Sequence, residues 1–146
     1  MPGPSSIRFQ AEVLRRLHAY VAAHPGLTLS AAGNRLIDEA LRSHEHPRVM
    51  FRDGPAGRRA CLAGGPDVWE VIRAVRSARR AEPALTADQV TDLVAETSGV
   101  PAAVVRAAIA YWADYPDEVD AQVARADEEE HQARVRWDRE QGLLAG

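Results

Sequence analysis

The stretch "PSSIRFQAEVLRRLHAYV", residues 4–21, changes its hydrophobic period partway along. Ile7 and Phe9 alternate with Ser6, Arg8 and Gln10, the period of a β-strand. From Val13 onward the apolar positions are Val13, Leu14, Leu17 and Val21, the period of a helix. A lone strand leaves its backbone N–H and C=O groups unpaired, and even a two-stranded element is marginal by itself. The next β-prone segment lies about 40 residues further on, across two predicted helices. A second copy of the same strand, from another molecule, solves the pairing by two-fold symmetry. The expected product is an antiparallel ribbon in an intertwined homodimer. Ile7 and Phe9 of each chain then face the helices, while Ser6, Arg8 and, more weakly, Pro4 face outward. A two-stranded ribbon fits the DNA major groove, where arginine bonds guanine bidentately and serine is nearly indifferent to the base. Specificity from two such strands is modest, and neighbouring dimers have to add to it.

The rest of the chain reads as mainly α. Helix one is expected from Ala11 to about His24, stopped by Pro25-Gly26. Ser30 is placed to cap a second helix whose apolar stripe is Leu36, Ile37, Ala40 and Leu41. "SHEHP" reads as a linker. Two short β-prone runs then flank Asp53-Gly54-Pro55-Ala56-Gly57, which predicts a hairpin with a five-residue loop. Pro66 and Asp67 suit the first turn of the next helix, "DVWEVIRAVRSARR". Thr86 and Gln89 make a capping box for the one after. Gly99 ends that helix, Pro101 opens "AAVVRAAIAYWADY", and Pro116 opens a last, long and highly charged helix.

The 146 residues carry a net charge of −3, unevenly distributed. Residues 47–83 hold eight Arg against four acids, whereas residues 84–146 hold five Arg against thirteen acids, which suggests different partners for the two regions. All 18 basic residues are Arg. Without lysine there is no Walker-type phosphate loop and no Schiff-base chemistry. No apolar run approaches the ~20 residues of a membrane span. No signal peptide is visible and Cys61 is the single cysteine, so the expected location is the cytoplasm.

"SIRFQAEVLRRLHAYVAAHPGLTLSAAGNRLIDEALR" resembles the ribbon-helix-helix DNA-binding fold of the Arc, MetJ and CopG repressors. The match covers residues 5–43 and rests on the strand ending in "IRF", the "AEVLRRL" helix, the "HPGLTLS" turn and "NRLIDEALR". Many members carry Pro-Glu after the strand, where this chain has Gln10-Ala11. The resemblance implies that Ser6, Arg8 and Pro4 read bases. It also implies that backbone amides of Thr28, Leu29 and Ser30, at the start of the second helix, clamp a phosphate. A solvated arginine on an edge strand is the bland alternative for Arg8.

Ala95, Gly99 and Val105 have helix-turn-helix spacing, but the would-be reading helix offers mostly Ala and Val, with Arg106 the one side chain able to reach a base edge. A helix apolar nearly all round is normally buried, so core or dimer packing is its expected role. Residues 47–120 resemble a small helix-turn-helix-like domain of unknown function attached to bacterial ribbon-helix-helix antitoxins. "RDGPAGRRA…GGPDVWEV" is the distinctive run, with Trp69 expected as a core anchor. The resemblance implies a cognate toxin, a PIN-like ribonuclease, as partner.

Together these readings predict four regions. Residues 1–43 form a ribbon-helix-helix domain for DNA binding and dimerisation, 44–47 a linker, 48–120 a hairpin plus helical domain, and 121–146 an acidic helix with a partner-binding tail. In the tail, Trp137, Leu143 and Leu144 stand out as large apolar anchors, and Arg134, Arg136 and Arg139 suit the acidic, metal-binding centre of such a nuclease. Arg58 and Arg59 on the hairpin are candidate phosphate contacts. His44 and His46 flank Glu45 without a third ligand at metal spacing, Ser30 lacks a histidine and acid, and Cys61 lies in an apolar run. No enzyme, cofactor or metal site is predicted. The expected function is a DNA-binding antitoxin that represses its own operon. A stand-alone repressor with a C-terminal sensing or protein-interaction domain is the other reading.

Overall fold

In the computed structural model, which describes residues 3–146, six helices and one small antiparallel sheet make a mainly α chain. It divides into two units, residues 1–45 and 46–146.

The first unit is two helices preceded by residues 3–10, which have no regular secondary structure in the single chain. Helix α1 spans Ala11–Ala22 and α2 spans Leu29–Glu45. Gln10 is extended (φ −63°, ψ 149°), so the chain arrives at α1 straight, and the Leu14 N–H donates to the Gln10 carbonyl at 2.9 Å. Thr28, rather than Ser30, caps α2: its Oγ1 accepts the Ala31 N–H at 3.1 Å, two residues earlier than the sequence suggested. The interior of this unit is thin. Leu17, Ala32 and Gly33 are buried, while Val13, Ile37 and Leu41 are exposed.

The second unit begins with a hairpin, β1 (Val49–Gly54) and β2 (Gly57–Leu62), in register Gly54↔Gly57 to Val49↔Leu62. The loop is thus the two residues Pro55 and Ala56, not five. Gly57 makes this possible with φ 101°, a backbone that other residues rarely adopt. Val49, Ala60 and Leu62 face the core, and Phe51 is packed against it. Four helices follow: α3 (Val68–Ala81), α4 (Ala87–Ser98), α5 (Ala102–Asp114) and α6 (Pro116–Ala145). The expected capping box is in place at α4, with Gln89 N–H to Thr86 Oγ1 at 3.2 Å and Thr86 N–H to Gln89 Oε1 at 2.9 Å. Gly99 terminates α4 in the left-handed region (φ 71°), and the chain bends by 114° into α5. Val105, Ala108 and Tyr111 of α5 are fully buried against Val68, Val71 and Ile72 of α3, Val90 and Val94 of α4, and Val119 of α6. Each of the valines and the isoleucine contributes about 1.5–3 kcal/mol on leaving water. The division between the two units falls at Glu45–His46, inside the predicted 44–47 linker, whereas the boundary predicted at 120/121 lies within a helix. Helix α2 runs through Glu45, and α6 is continuous for 30 residues.

Candidate nucleic-acid interface and partner-binding tail

The residues expected to read DNA lie on one short segment and one helix start of the first unit. Pro4, Ser6 and Arg8 are exposed. Phe9 is half-buried: its Cζ lies 3.9 Å from the place a Cβ on Gly33 would occupy, as does Leu17 Cδ2. Ile7, expected to share that inward face, is 64% exposed in the single chain. The segment is therefore seated on α2 at Phe9 alone. Beyond it, Phe9, Val13, Leu17, Tyr20, Leu36 and Ile37 line an open apolar groove of about 440 Å³. Two helices cannot close such a face upon themselves.

At the start of α2 the Ala31 and Ala32 amides are taken, by Thr28 Oγ1 and the Thr28 carbonyl. The Leu29 and Ser30 amides are first-turn donors, which a helix leaves without an internal acceptor. Together with the partial positive charge of the helix end they form an anion-accepting surface. Thr28 and Ser30 are exposed and Leu29 is half-buried, so this end is open to solvent.

The distinctive run of the second unit builds a charge hub that sequence reasoning missed. Arg52 and Arg59 are cross-strand partners, so both guanidinium groups stand on one face of the hairpin. Like charges there are tolerable only with an anion between them, and Asp67 supplies it. Its buried carboxylate accepts from Arg52 Nη2 at 3.2 Å, from Arg59 Nε, and from Trp69 Nε1 at 3.2 Å. Asp67 is also the N-cap of α3, its own N–H donating to Glu70 Oε2 at 2.8 Å. The Arg59 guanidinium lies over Gly54, where a Cβ would displace it. The signal was present as Asp-x-x-Glu, a capping-box spacing. Trp69 is packed against the core as expected, but as a half-buried group tied to this hub.

Arg59 is held by Asp67 and Arg58 is paired with Asp53 at 3.4 Å, so the hairpin arginines are engaged within the chain. Cys61 is fully buried, and desolvation pushes its thiol above the usual range. His46, read as a linker residue, bonds Asp114 Oδ2 through Nε2 at 2.8 Å and sits edge-on to Tyr111 and Tyr115. Arg106 comes only within 3.9 Å of Asp88, and its helix is packed into the core.

Part of the basic middle, read as facing a different partner from the acidic end, pairs with that end through two arginines of α3. Arg73 of α3 donates to Asp127 at 2.7 Å and to Glu130, and Arg76 Nη2 to Asp120 at 2.6 Å. Asp120 also accepts from Trp112 Nε1 at 2.8 Å. Those hydrogen bonds, Trp112 first and then Arg76, hold the Asp120 carboxyl below its ordinary value, and Arg73 does the same for Glu130.

Past Glu130, α6 continues for fifteen residues, roughly 22 Å at 1.5 Å per residue. Trp137, Leu143 and Leu144 are exposed there, at 58%, 85% and 79%. The three tail arginines do not share a face. Arg136 and Arg139 flank Val135, whereas Arg134 reaches back to Glu130 at 3.4 Å. Trp137 and Leu144, seven residues apart, lie on another side. No single helix among the described residues is long and apolar enough to cross a membrane. Among known proteins, no family model, curated protein or solved structure matches the chain.

Proposed function

We propose that the chain is a homodimeric ribbon-helix-helix DNA-binding protein that represses its own operon as the antitoxin of a toxin–antitoxin pair. The observation that carries the DNA reading is the first unit itself. A segment without regular secondary structure, in which Ser6 and Arg8 are exposed, leads into two helices that leave one apolar face open and one helix start bare. A second copy covers that face, turns residues 5–9 into a paired ribbon and buries Ile7. The ribbon enters the major groove, Arg8 meets a base edge, and the Leu29 and Ser30 amides meet a phosphate. The second unit supports the dimer or the toxin, and Trp137, Leu143 and Leu144 anchor the tail on the partner. Against a nuclease with an acidic, metal-binding centre, Arg136 and Arg139 are the pair placed to enter together, with Arg134 contributing once released from Glu130.

The test is titration of the Arg8→Ala variant against duplexes covering the region upstream of its own gene. Wild type is expected to bind with an affinity that falls steeply with salt, and the variant to lose binding while remaining a dimer. Equal, salt-insensitive binding by both contradicts the reading. Deletion of residues 128–146 tests the antitoxin part: a co-purifying nuclease is expected to be lost with operator binding retained. A chain that never had such a partner is a lone repressor.

A further inference from the structure

A groove of about 470 Å³ runs between α3, α4 and α5 of the second unit. Val75, Val90 and Ile109 give it an apolar floor, and Arg76, Arg79 and Arg80 form one rim. Arg76 is paired with Asp120, but Arg79 donates to the Leu85 carbonyl at 2.6 Å and Arg80 to Ser77 Oγ at 3.4 Å. No described carboxylate meets these last two guanidinium groups. A site of this kind takes a helix that brings a large apolar side chain with an acid one turn away.

The same unit carries such a helix face without cover. On the end of α6, Trp137 and Leu144 are exposed, and Glu140 is also exposed and lies between them, within one turn of each. The first half of α6 is braced on its own α3 through Asp120, Asp127 and Glu130. Because α6 is one continuous helix, its end leads past that brace and cannot turn back into its own α3–α4–α5 groove. We infer that the end of α6 docks in the α3–α4–α5 groove of a second copy, with Trp137 and Leu144 on the apolar floor and Glu140 against Arg79 and Arg80. The exchange is reciprocal. Two-fold symmetry lets each copy fill the other's groove, a closed arrangement that leaves neither face in water. Filling a groove with an aromatic anchor removes apolar surface from water on both sides, and the Glu–Arg pairing fixes which way the helix lies. The inference goes beyond the DNA-binding reading and does not need it. It also gives the tail a covered resting place, from which a toxin would have to draw it.

Photo-crosslinking of the full chain tests this. Trp137 is replaced by benzoylphenylalanine, and ¹⁵N-labelled and unlabelled chains are refolded as an equimolar mixture and irradiated. The expected products are mixed-isotope crosslinks from position 137 to peptides within residues 75–91 or to the one containing Ile109. Arg79→Glu with Arg80→Glu, both on the exposed rim, is expected to cut their yield about tenfold, and Glu140→Arg to restore part of it. Crosslinks within one chain, to other segments, or absent altogether overturn the inference, as does a yield indifferent to the arginine reversal. Operator binding is measured on the same preparations, so failure of the DNA reading registers separately.

Discussion

Asp67 does three jobs with one carboxylate: it caps α3, neutralises two arginines that the hairpin register sets side by side, and orients Trp69. Removing it leaves two guanidinium groups facing each other with no anion. Asp67→Ala is expected to destabilise the second unit by about 1–3 kcal/mol in chemical denaturation, since solvent partly screens the arginines left behind, and Asp67→Asn, which keeps the cap, by clearly less. A loss below about 1 kcal/mol for the alanine variant would reduce the hub to an ordinary surface pair. Cys61 lies beneath the same hub, fully buried with its thiol held high. It is expected to resist thiol reagents in the native state and to react only in step with unfolding, read by labelling along a denaturant series. Rapid labelling in buffer contradicts its placement. At this scale the sequence was most legible where chemistry is local. Thr86 with Gln89 is a capping box that needs only four residues, and it forms as read. The partners of Asp67 were hidden because Arg52 and Arg59 reach it only through a strand register, which spacing along the chain does not encode. The loop length and that register fail together, since shortening the turn from five residues to two re-pairs every position of the hairpin.

Elements were legible where a period or a punctuation residue marks them. Gly99 and Pro101 place the α4–α5 turn, and Pro116 the start of α6. What α6 packs against was not, because ion pairs between helices about fifty residues apart leave no local pattern. The α3–α6 brace now supplies a pH signature. The Asp120 and Glu130 carboxyls are depressed in the folded chain, so the unfolded chain binds protons more readily. Their stabilisation is complete above the ordinary carboxylate range of about 4 and is lost as pH falls through the lower folded values. Asp120→Asn is therefore expected to melt lower than wild type at neutral pH, with the gap closing as the pH is taken to about 3. A gap independent of pH would mean that Asp120 acts through packing alone.

For the whole molecule, the division at Glu45 and His46 explains why the first 45 residues look unfinished. A unit this small buries too little apolar surface to stand alone, and its exposed Ile7, Val13 and Ile37 mark where the rest of its core is missing. That shortfall is legible in the change of period at residues 7–13, where a strand pattern stands next to a helix with no partner strand nearby in the sequence. Residues 3–10 form no strand in the single chain, and in the proposed dimer their hydrogen-bonding mate is the same segment of the second copy. Isotope-filtered nuclear Overhauser spectroscopy on a mixture of labelled and unlabelled chains tests this most directly. The account predicts Hα–Hα contacts between residues 5–9 of different molecules in antiparallel register, with slow amide exchange at those positions. Interchain contacts absent from that segment, with Ile7 still in water at concentrations where the chain is dimeric, would contradict it.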